Sequence, residues 1–218
     1  MYIKIGFWLV WLCFISYAFL LAPPQEPNTF ELIKNLSVGN WQGINPLIIA
    51  LFNLMGILPI IYTCFLLIDG REQKIRAWGF ALGSFGVGAF AILPYLALRQ
   101  SQTEFTGEKD WFLKIIDSRL TGFIVTLAAL IILVLGLAKG DWSDFIQQWQ
   151  SSRFINVMSL DFCLLSILLP VLIKDDLAKR KIENSSSLWL VSLIPFFGAL
   201  IYLCLRPPLK NQVISHNC

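Results

Sequence analysis

The stretch YLALR at residues 95–99 recurs almost unchanged as YLCLR at residues 202–206. A second matched pair lies upstream of these copies. Asn45 precedes Pro59 by the same interval along the chain as Asn156 precedes Pro170, and both prolines lie in apolar runs. This pattern indicates a duplication, with a first repeat over residues 1–110 and a second repeat over residues 111–218.

The composition of the chain is that of a membrane protein. Hydrophobic residues make up 56% and charged residues 14% of the 218 residues, and the mean hydropathy is +0.68. A soluble domain has about a quarter of its residues charged. A bilayer-spanning helix needs about 20 apolar residues, and backbone groups in the hydrocarbon must be paired within their segment. Six stretches meet this requirement: residues 5–22, 46–68, 77–98, 120–138, 154–173 and 187–205.

Two copies of three spans predict an inverted repeat, because an odd number of spans places the second copy upside down in the membrane. We therefore expect an all-α, polytopic membrane protein with a single membrane domain over residues 1–218. In this arrangement eight Lys and Arg residues lie on the side of both termini and nine lie on the other. The positive-inside rule needs an excess on one side. Only Lys4, ahead of the first span, and loop 23–45, which is nearly free of positive charge, favour cytoplasmic termini.

Two polar connections contain amphipathic segments rich in aromatic residues. One lies around residues 29–36, and the other lies around residues 142–149 with Trp142 and Trp149. Trp and amphipathic helices favour the level of the lipid headgroups. We expect a short interfacial helix at each place, in matching positions of the two repeats.

Asp161 is the only carboxylate inside a predicted span, and it is the first candidate for chemistry. A charged acid at the centre of a bilayer costs about 2.5–3.5 kcal/mol on insertion scales, so such residues face a protein interior or water. Asp161 is either a substrate or proton site, or a hydrogen-bonded acid that holds two helices together. Asn53, at a similar depth in the second stretch, and Asn156 complete the candidate intramembrane polar site.

Small residues and prolines interrupt several of the predicted helices. Glycine and serine at the interface let two helix axes approach closely, and proline removes a backbone hydrogen bond. The candidate packing residues are Gly79, Gly83, Ser84, Gly86 and Gly88. The candidate kinks are Pro59, Pro94, Pro170 and Pro195.

Several classes of chemistry lack their residues in this sequence. The five cysteines, four of them in apolar runs, form no C-x-x-C pair, and the only histidine is His216 near the end of the chain. No catalytic motif of the H-E-x-x-H, Walker A or G-x-S-x-G type is present. The net charge of +3 is dispersed, which gives no nucleic-acid surface. We therefore expect no metal site and assign no catalytic residue or cofactor.

Each half resembles an uncharacterised bacterial family of short proteins with three membrane helices. The first half matches at Asn45-Pro46, Gly70-Arg71, Trp78 and the segment from Pro94 to Arg99. The second half matches at Asp161, Lys179-Arg180, Trp189 and residues 202–206. The first half departs from the family pattern because it has no mid-helix acid, and the second lacks Pro after Asn156. The whole chain is also similar to cyanobacterial and plastid membrane proteins of unassigned role, which implies a bacterial plasma membrane or a thylakoid.

Three classes of function fit these residues. The first is a non-enzymatic membrane protein that binds a pigment, a lipid or a partner complex, for example as an assembly factor. The second is a small carrier that uses Asp161 and Asn53 between the two repeats. The third is an intramembrane enzyme acting on an isoprenoid or carotenoid, with Asp161 as its acid. The absence of catalytic motifs favours the first class.

Overall fold

The computed structural model describes residues 2–102, 104–105, 108–182 and 185–209, and the regular structure of these residues is helical. The helices are α1 (Tyr2–Ser16, continued by a π-helical turn Tyr17–Leu21), α2 (Thr29–Val38), α3 (Pro46–Asp69), α4 (Ala77–Val87), α5 (Ala89–Leu98), α6 (Trp111–Ile116), α7 (Arg119–Lys139), α8 (Trp142–Ser151), α9 (Arg153–Lys179), α10 (Ser185–Ser192) and α11 (Phe197–Leu205). A 3₁₀ turn, Gly70–Glu72, follows α3.

Four helices in the described part of the chain are long and apolar enough to cross a membrane. They are Tyr2–Leu21, Pro46–Asp69, Arg119–Lys139 and Arg153–Lys179. The protein is therefore a multi-pass, all-helical integral membrane protein. These four helices correspond to the first, second, fourth and fifth apolar stretches of the sequence.

The third apolar stretch, residues 77–98, forms a helical hairpin. Gly88 separates α4 from α5 with φ 52° and ψ −125°, a conformation that a side chain disfavours. The side chain of Gln73, just before α4, donates to the carbonyl of Gln100, just after α5, at 2.6 Å. The Gln100 N–H donates back to Gln73 Oε1 at 2.8 Å. Both ends of the hairpin therefore lie at the same end of the molecule.

The sixth apolar stretch, residues 187–205, turns back in the same way. α10 and α11 are joined by residues 193–196, where Phe196 has φ 61°. The guanidinium of Arg180, before α10, donates to the carbonyl of Pro207, after α11. Gly198 lies so close to α10 that an added Cβ would overlap the Val191 carbonyl. This stretch is a second helical hairpin.

The prediction of six spans is therefore corrected to four long helices and two hairpins. Hydropathy gives the length of an apolar stretch but does not show that its chain reverses in the middle. In the described part of the chain each half contains two helices long enough to cross a membrane, and the inverted repeat of three spans is not confirmed.

The four long helices define two ends of the molecule. We call the end where α3 and α9 finish, and where both hairpins begin and end, the hairpin face. The opposite end, which carries α2 and α8, is the cap face. The side chain of Asn45 links the two halves there, donating to the Asp141 carbonyl at 2.7 Å and to Asp144 Oδ2 at 2.7 Å. The two amphipathic segments of the sequence correspond to α2 and α8.

The core lies where α3 and α9 cross at the centre of the molecule. Tyr62 of α3 is fully buried, and its hydroxyl donates to the Leu165 carbonyl of α9 at 2.6 Å. α1 packs on α5, and α7 packs on both α3 and α11. Each hairpin is thus covered on its outer side by the first long helix of its own half.

The small residues of α4 have different surroundings. An added Cβ would meet no atom within 4 Å at Gly79 or Gly86, whereas at Gly83 it would lie 3.4 Å from the side chain of Ala91 in α5. Ser84 is buried. The close contact in this helix therefore lies within the hairpin, at Gly83, and Gly79 is exposed.

The prolines and asparagines also differ from the sequence pattern. Pro59 and Pro170 lie inside α3 and α9, which continue through them. Pro94 lies inside α5, and Pro195 lies in the turn of the second hairpin. Asn45 is the N-cap of α3 and accepts from Leu47 N, whereas Asn156 lies within α9. The equal Asn-to-Pro intervals of the sequence therefore pair asparagines with different structural roles.

We predict that cysteines at Gln73 and Gln100 cross-link in a cysteine-free background. Their side chain and backbone atoms lie within 3 Å in the hairpin, whereas a helix crossing the bilayer would separate them by about 30 Å. Oxidation followed by electrophoresis of a protein cleaved between the two positions reports the bond. A Gln73→Cys and Trp41→Cys pair, with one cysteine at each face, is the matched control and stays unlinked. Absence of the bond between positions 73 and 100 would restore a spanning third helix.

Candidate functional site: an apolar cavity at the tip of the first hairpin

A cavity of about 570 Å³ lies between the tip of the first hairpin, the middle of α3, the first half of α9 and the end of α1. Its lining is mainly apolar. The residues that form it are Ala18, Phe19, Gln25, Thr29, Phe52, Met55, Gly56, Ser84, Phe85, Gly86, Val87, Gly88, Phe90, Arg153, Phe154, Val157, Met158 and Asp161. The position of the hairpin tip inside the bundle creates this space.

Asp161 lies at the inner end of the cavity and holds the tip of the hairpin. Its Oδ1 accepts a hydrogen bond of 2.8 Å from the backbone N–H of Ala89, the first residue of α5. The first N–H groups of a helix have no partner within the helix, and a carboxylate there is favoured by the helix dipole. An added Cβ at Gly88 would overlap the carboxylate, so glycine at this turn also permits the close approach.

The second carboxylate oxygen of Asp161 is available to the cavity. The residue as a whole is only 6% exposed. No described residue donates a hydrogen bond to Oδ2, and this oxygen is not sealed inside the protein. Asp161 therefore has one oxygen that holds the hairpin tip, and a second, Oδ2, that lies against Gly88 without a hydrogen-bond donor among the described residues.

The outer end of the cavity is polar. Arg153 and Gln25 lie there, at the beginning of α9 and in the connection after α1. The Arg153 Nε–H donates to the Pro23 carbonyl at 3.0 Å. This bond holds the Arg153 side chain at the cap face. The lining of the cavity therefore extends along α9 from Arg153 at the cap face to Asp161 at the hairpin tip.

The other two predicted polar residues do not join Asp161. Asn53 donates to the Ile49 carbonyl of its own helix at 2.8 Å and does not line the cavity. Asn156 accepts from the Tyr17 hydroxyl at 2.9 Å and donates to the Trp149 carbonyl at 3.0 Å. Asn156 therefore ties α1 and α8 to α9, and Asp161 alone of the three is a cavity residue.

A second polar cluster, which the sequence analysis missed, lies at the hairpin face. Asp69, at the end of α3, accepts from Arg99 at 2.9 Å, from Lys179 at 2.8 Å and from the Tyr95 hydroxyl at 2.6 Å. Arg99 also pairs with Asp175. The five residues join the first hairpin to the ends of α3 and α9.

The second hairpin is held by an equivalent set. Asp176 accepts from the Tyr202 hydroxyl at 2.6 Å and from Arg180 Nε at 2.7 Å, and Arg206 lies 3.5 Å away. Arg180 also pairs with Asp117 at 2.7 Å, before α7. The two sets have the same spacing in the sequence, with Asp69, Tyr95 and Arg99 in the first half and Asp176, Tyr202 and Arg206 in the second. The repeated YLxLR segments therefore supply a tyrosine and an arginine to one aspartate in each half.

These ion pairs are buried, and each charged group is stabilised by the opposite charge beside it. Burial by itself would lower the pKa of the Arg99 guanidinium, but Asp69 and Asp175 outweigh it and the net shift is upward. The pKa of Arg180 is raised in the same way by Asp176 and Asp117. Both arginines stay charged, and the cluster closes the hairpin face of the bundle with a layer of fixed charges.

The described residues contain no group of three or more His, Cys, Asp or Glu side chains arranged to hold a metal ion. Cys13, Cys64, Cys163 and Cys204 are free thiols. His216 and Cys218 lie outside the described residues. The chemistry of the cavity therefore rests on one carboxylate and one guanidinium.

Comparisons with known proteins give no relative: no family model, no curated protein and no solved structure matches this chain. The function must be argued from the cavity and the ion pairs themselves.

We predict that Asp69→Ala lowers the free energy of unfolding by about 3–5 kcal/mol, because it leaves the buried Lys179 without its partner and removes one of the two partners of Arg99. Arg71→Ala is the control, since its ion pair with Asp110 is 34% and 52% exposed. Exposed pairs contribute about 0–1 kcal/mol. Unfolding of the purified variants in a sodium dodecyl sulfate titration measures both values. Equal losses for the two variants would show that the buried cluster does not stabilise the bundle.

Proposed function

We propose that this protein is a non-enzymatic membrane protein that binds a lipid, isoprenoid or pigment molecule in the cavity at the tip of the first hairpin. The observation that carries the proposal is the cavity itself: an apolar, partly open space between the helices, with Arg153 and Asp161 in its lining. Binding sites for small molecules are mostly apolar clefts of about 300–1,000 Å³ with a few placed polar groups. The cavity, at about 570 Å³, falls within this range.

The residues around the cavity support binding more than catalysis. Its lining contains no histidine, no cysteine and no carboxylate other than Asp161. An acid catalyst needs a partner group that stabilises charge or activates a nucleophile within hydrogen-bond reach of the substrate. Arg153 is eight residues from Asp161 along α9, which places it about 12 Å away along the helix axis. The two charged groups therefore mark opposite ends of a ligand.

The ion pairs of the hairpin face support binding more than transport. A carrier has to open its site to each side of the membrane in turn. Opening towards the hairpin face would separate the buried pairs of Asp69 and Asp176, with nothing in the bundle to replace them. Asn53, the second residue required for the carrier hypothesis, lies outside the cavity. A site beside helices whose ends are tied by these buried ion pairs suits a binding or assembly role.

We also propose that the chain is a duplication whose halves have the same orientation in the membrane. The supporting observations are the shared order of helices, with a span, a short helix, a span and a hairpin in each half, and the matched Asp–Tyr–Arg sets. Two spans per copy leave the second copy upright, so the pseudo-twofold axis runs along the membrane normal. As part of this proposal, each half is related to the bacterial family of three-helix proteins, and the protein lies in a bacterial plasma membrane or a thylakoid.

The charge distribution supports a cytoplasmic position for the hairpin face. Of the 16 described Lys and Arg residues, 13 lie at the hairpin face and three at the cap face. The three are Lys34, Lys139 and Arg153. An excess of Lys and Arg near the ends of spans marks the cytoplasmic side. The near-balance in the six-span arrangement arose because it placed the ends of each hairpin on opposite sides.

We predict that Ser37→Cys, in α2, reacts with a membrane-impermeant maleimide in intact cells, since the cap face is extracytoplasmic. Gln100→Cys, at the hairpin face, reacts only after the cells are permeabilised. Both positions are exposed in the protein, and both variants are made in a cysteine-free background so that each gives one signal. The reverse pattern of labelling would place the hairpin face outside and contradict the orientation.

We predict that Gly56→Phe removes a co-purifying apolar molecule. An added Cβ at Gly56 meets no atom within 4 Å, and the residue lines the cavity, so a bulky side chain starts in open space there and takes up room that a ligand would occupy. Gly79→Phe is the matched control, because Gly79 has the same open surroundings but does not line the cavity. Mild-detergent purification, solvent extraction and mass spectrometry with absorbance compare the two. If both variants retain the same molecules as the unmodified protein, the cavity is not a binding site.

A further inference from the structure

We propose that a pocket at the hairpin face binds the phosphate group of an anionic phospholipid. The pocket has a volume of about 290 Å³ and lies between the end of α9 and the first turn of α10. We call it the basic pocket, and its lining includes Lys174, Leu177, Lys181, Ile182, Ser186 and Trp189. It shares no lining residue with the cavity at the tip of the first hairpin, so this inference goes beyond the proposed function.

The end of α9 carries cations on two different sides. Lys179 and Arg180 are buried and pair with aspartates of the hairpin face. Lys174 and Lys181 are exposed, and neither side chain has a hydrogen bond or an ion pair with a described residue. Their spacing of seven positions puts both on the same side of the helix. No described carboxylate lines the basic pocket, so the protein leaves these two positive charges without a counter-charge there.

Two further groups of the basic pocket are hydrogen-bond donors. The Ser186 hydroxyl and the Trp189 indole N–H have no acceptor among the residues that the structure describes. An ionised phosphate offers oxygens that accept such bonds, and lysine binds phosphate as a point charge. Two ammonium groups, a hydroxyl and an indole N–H therefore match a phosphate in both charge and hydrogen bonding.

The surroundings of the basic pocket favour a lipid as the source of this phosphate. Leu190 and Leu193 follow Ser186 by four and seven positions, a spacing that puts them on the same side of the chain. Leu190 is 65% and Leu193 is 49% exposed. This apolar side leads from the basic pocket towards the turn of the second hairpin. An acyl chain can lie along it while the phosphate stays at the level of the headgroups, where basic pockets bind anionic lipids.

The duplication does not account for the basic pocket. When the two Asp–Tyr–Arg sets are aligned, its four polar residues correspond to Leu67, Lys74, Gly79 and Leu82 in the first half. Only Lys74 keeps a polar side chain. The ion pairs that hold the hairpins occur in both halves, whereas the residues of the basic pocket occur in the second half alone.

The test compares dioctanoylphosphatidylglycerol, which is anionic, with dioctanoylphosphatidylcholine, which has the same chains and a phosphate neutralised by choline. The full-length protein carries fluorotryptophan and is titrated with each lipid in mild detergent. The ¹⁹F signal of Trp189 is identified by its loss in Trp189→Phe. We expect phosphatidylglycerol to shift this signal saturably and to bind about tenfold or more tightly than phosphatidylcholine, because both lysines attract an anionic lipid. Equal affinities would overturn the proposal.

A pair of double variants separates the basic pocket from the basic surface around it. Lys174→Gln with Lys181→Gln should lower the affinity for phosphatidylglycerol to about that for phosphatidylcholine. Lys74→Gln with Lys114→Gln is the matched control, because these lysines are also exposed and unpaired but do not line the pocket. The control should keep the affinity of the parent protein. An equal loss in both variants would show attraction to the whole hairpin face and overturn the assignment to the pocket.

Lys174→Arg with Lys181→Arg keeps both charges and should retain the preference for phosphatidylglycerol. Unfolding in sodium dodecyl sulfate checks that all three double variants are as stable as the parent protein, as expected for exposed lysines without partners. Loss of the preference in the arginine variant, with stability unchanged, would show that charge does not select the lipid and would contradict the proposal.

Competition with glycerol phosphate and inorganic phosphate separates a lipid from a soluble ligand. Neither compound has an acyl chain to lie along α10, so neither should displace phosphatidylglycerol at the concentration at which the lipid saturates the Trp189 signal. Displacement by either compound at that concentration would make the basic pocket a site for soluble phosphates and overturn the assignment to a phospholipid.

Discussion

The hydrogen bond from the Ala89 N–H to Asp161 satisfies a constraint on which the rest of the bundle depends. A helix that begins in the middle of a membrane exposes N–H groups that neither water nor its own carbonyls can pair. α5 begins at such a place, and the carboxylate of α9 accepts from its first residue. With this bond the chain can reverse at Gly88, and the reversal creates the cavity. The same carboxylate therefore supports the hairpin and supplies the polar atom at the inner end of the cavity.

The second hairpin meets the same constraint without an acid. The Phe197 N–H donates to the Pro195 carbonyl at 2.7 Å, and the Gly198 N–H donates to the Ile194 carbonyl at 2.9 Å. Its turn pairs its own backbone, and the aromatic ring of Phe162 in α9 packs against Phe196. The tips of both hairpins thus meet α9 at neighbouring residues, one through a carboxylate and one through an aromatic ring. The two halves resemble each other at the hairpin face and differ in the middle of the membrane.

The sequence predicted much of this fold because long apolar stretches and amphipathic segments are local features. The spans that became α1, α3, α7 and α9, and the short helices α2 and α8, were placed within a few residues. The hairpins were missed because an apolar stretch long enough to span a bilayer has the same hydropathy whether it continues or turns back. Gly88 was interpreted as a packing residue together with the glycines of α4, although it follows that helix and has the positive φ of a turn.

Asp161 was identified from its cost in the membrane, but its two neighbours in that prediction were not brought to it. Its true partner is a backbone N–H, and no residue type in the sequence marks such a group. The ion pairs offered a clearer signal. Each YLxLR segment ends on an arginine, and each preceding long helix carries an aspartate near its end, at Asp69 and Asp176. Pairing them requires the third and sixth stretches to turn back, which a count of spans alone does not suggest.

The distance along the chain between Ala89 and Asp161 has a consequence for biosynthesis. The two residues are 72 positions apart, and Arg99 and its partner Asp175 are 76 positions apart. When the ribosome has completed α4 and α5, Asp69 and Gln73 are already present to hold their base, but Asp161, which holds their tip, has not yet been translated. The turn at Gly88 therefore lacks its acceptor until α9 has been synthesised. The packing of the first half is completed only by residues of the second half.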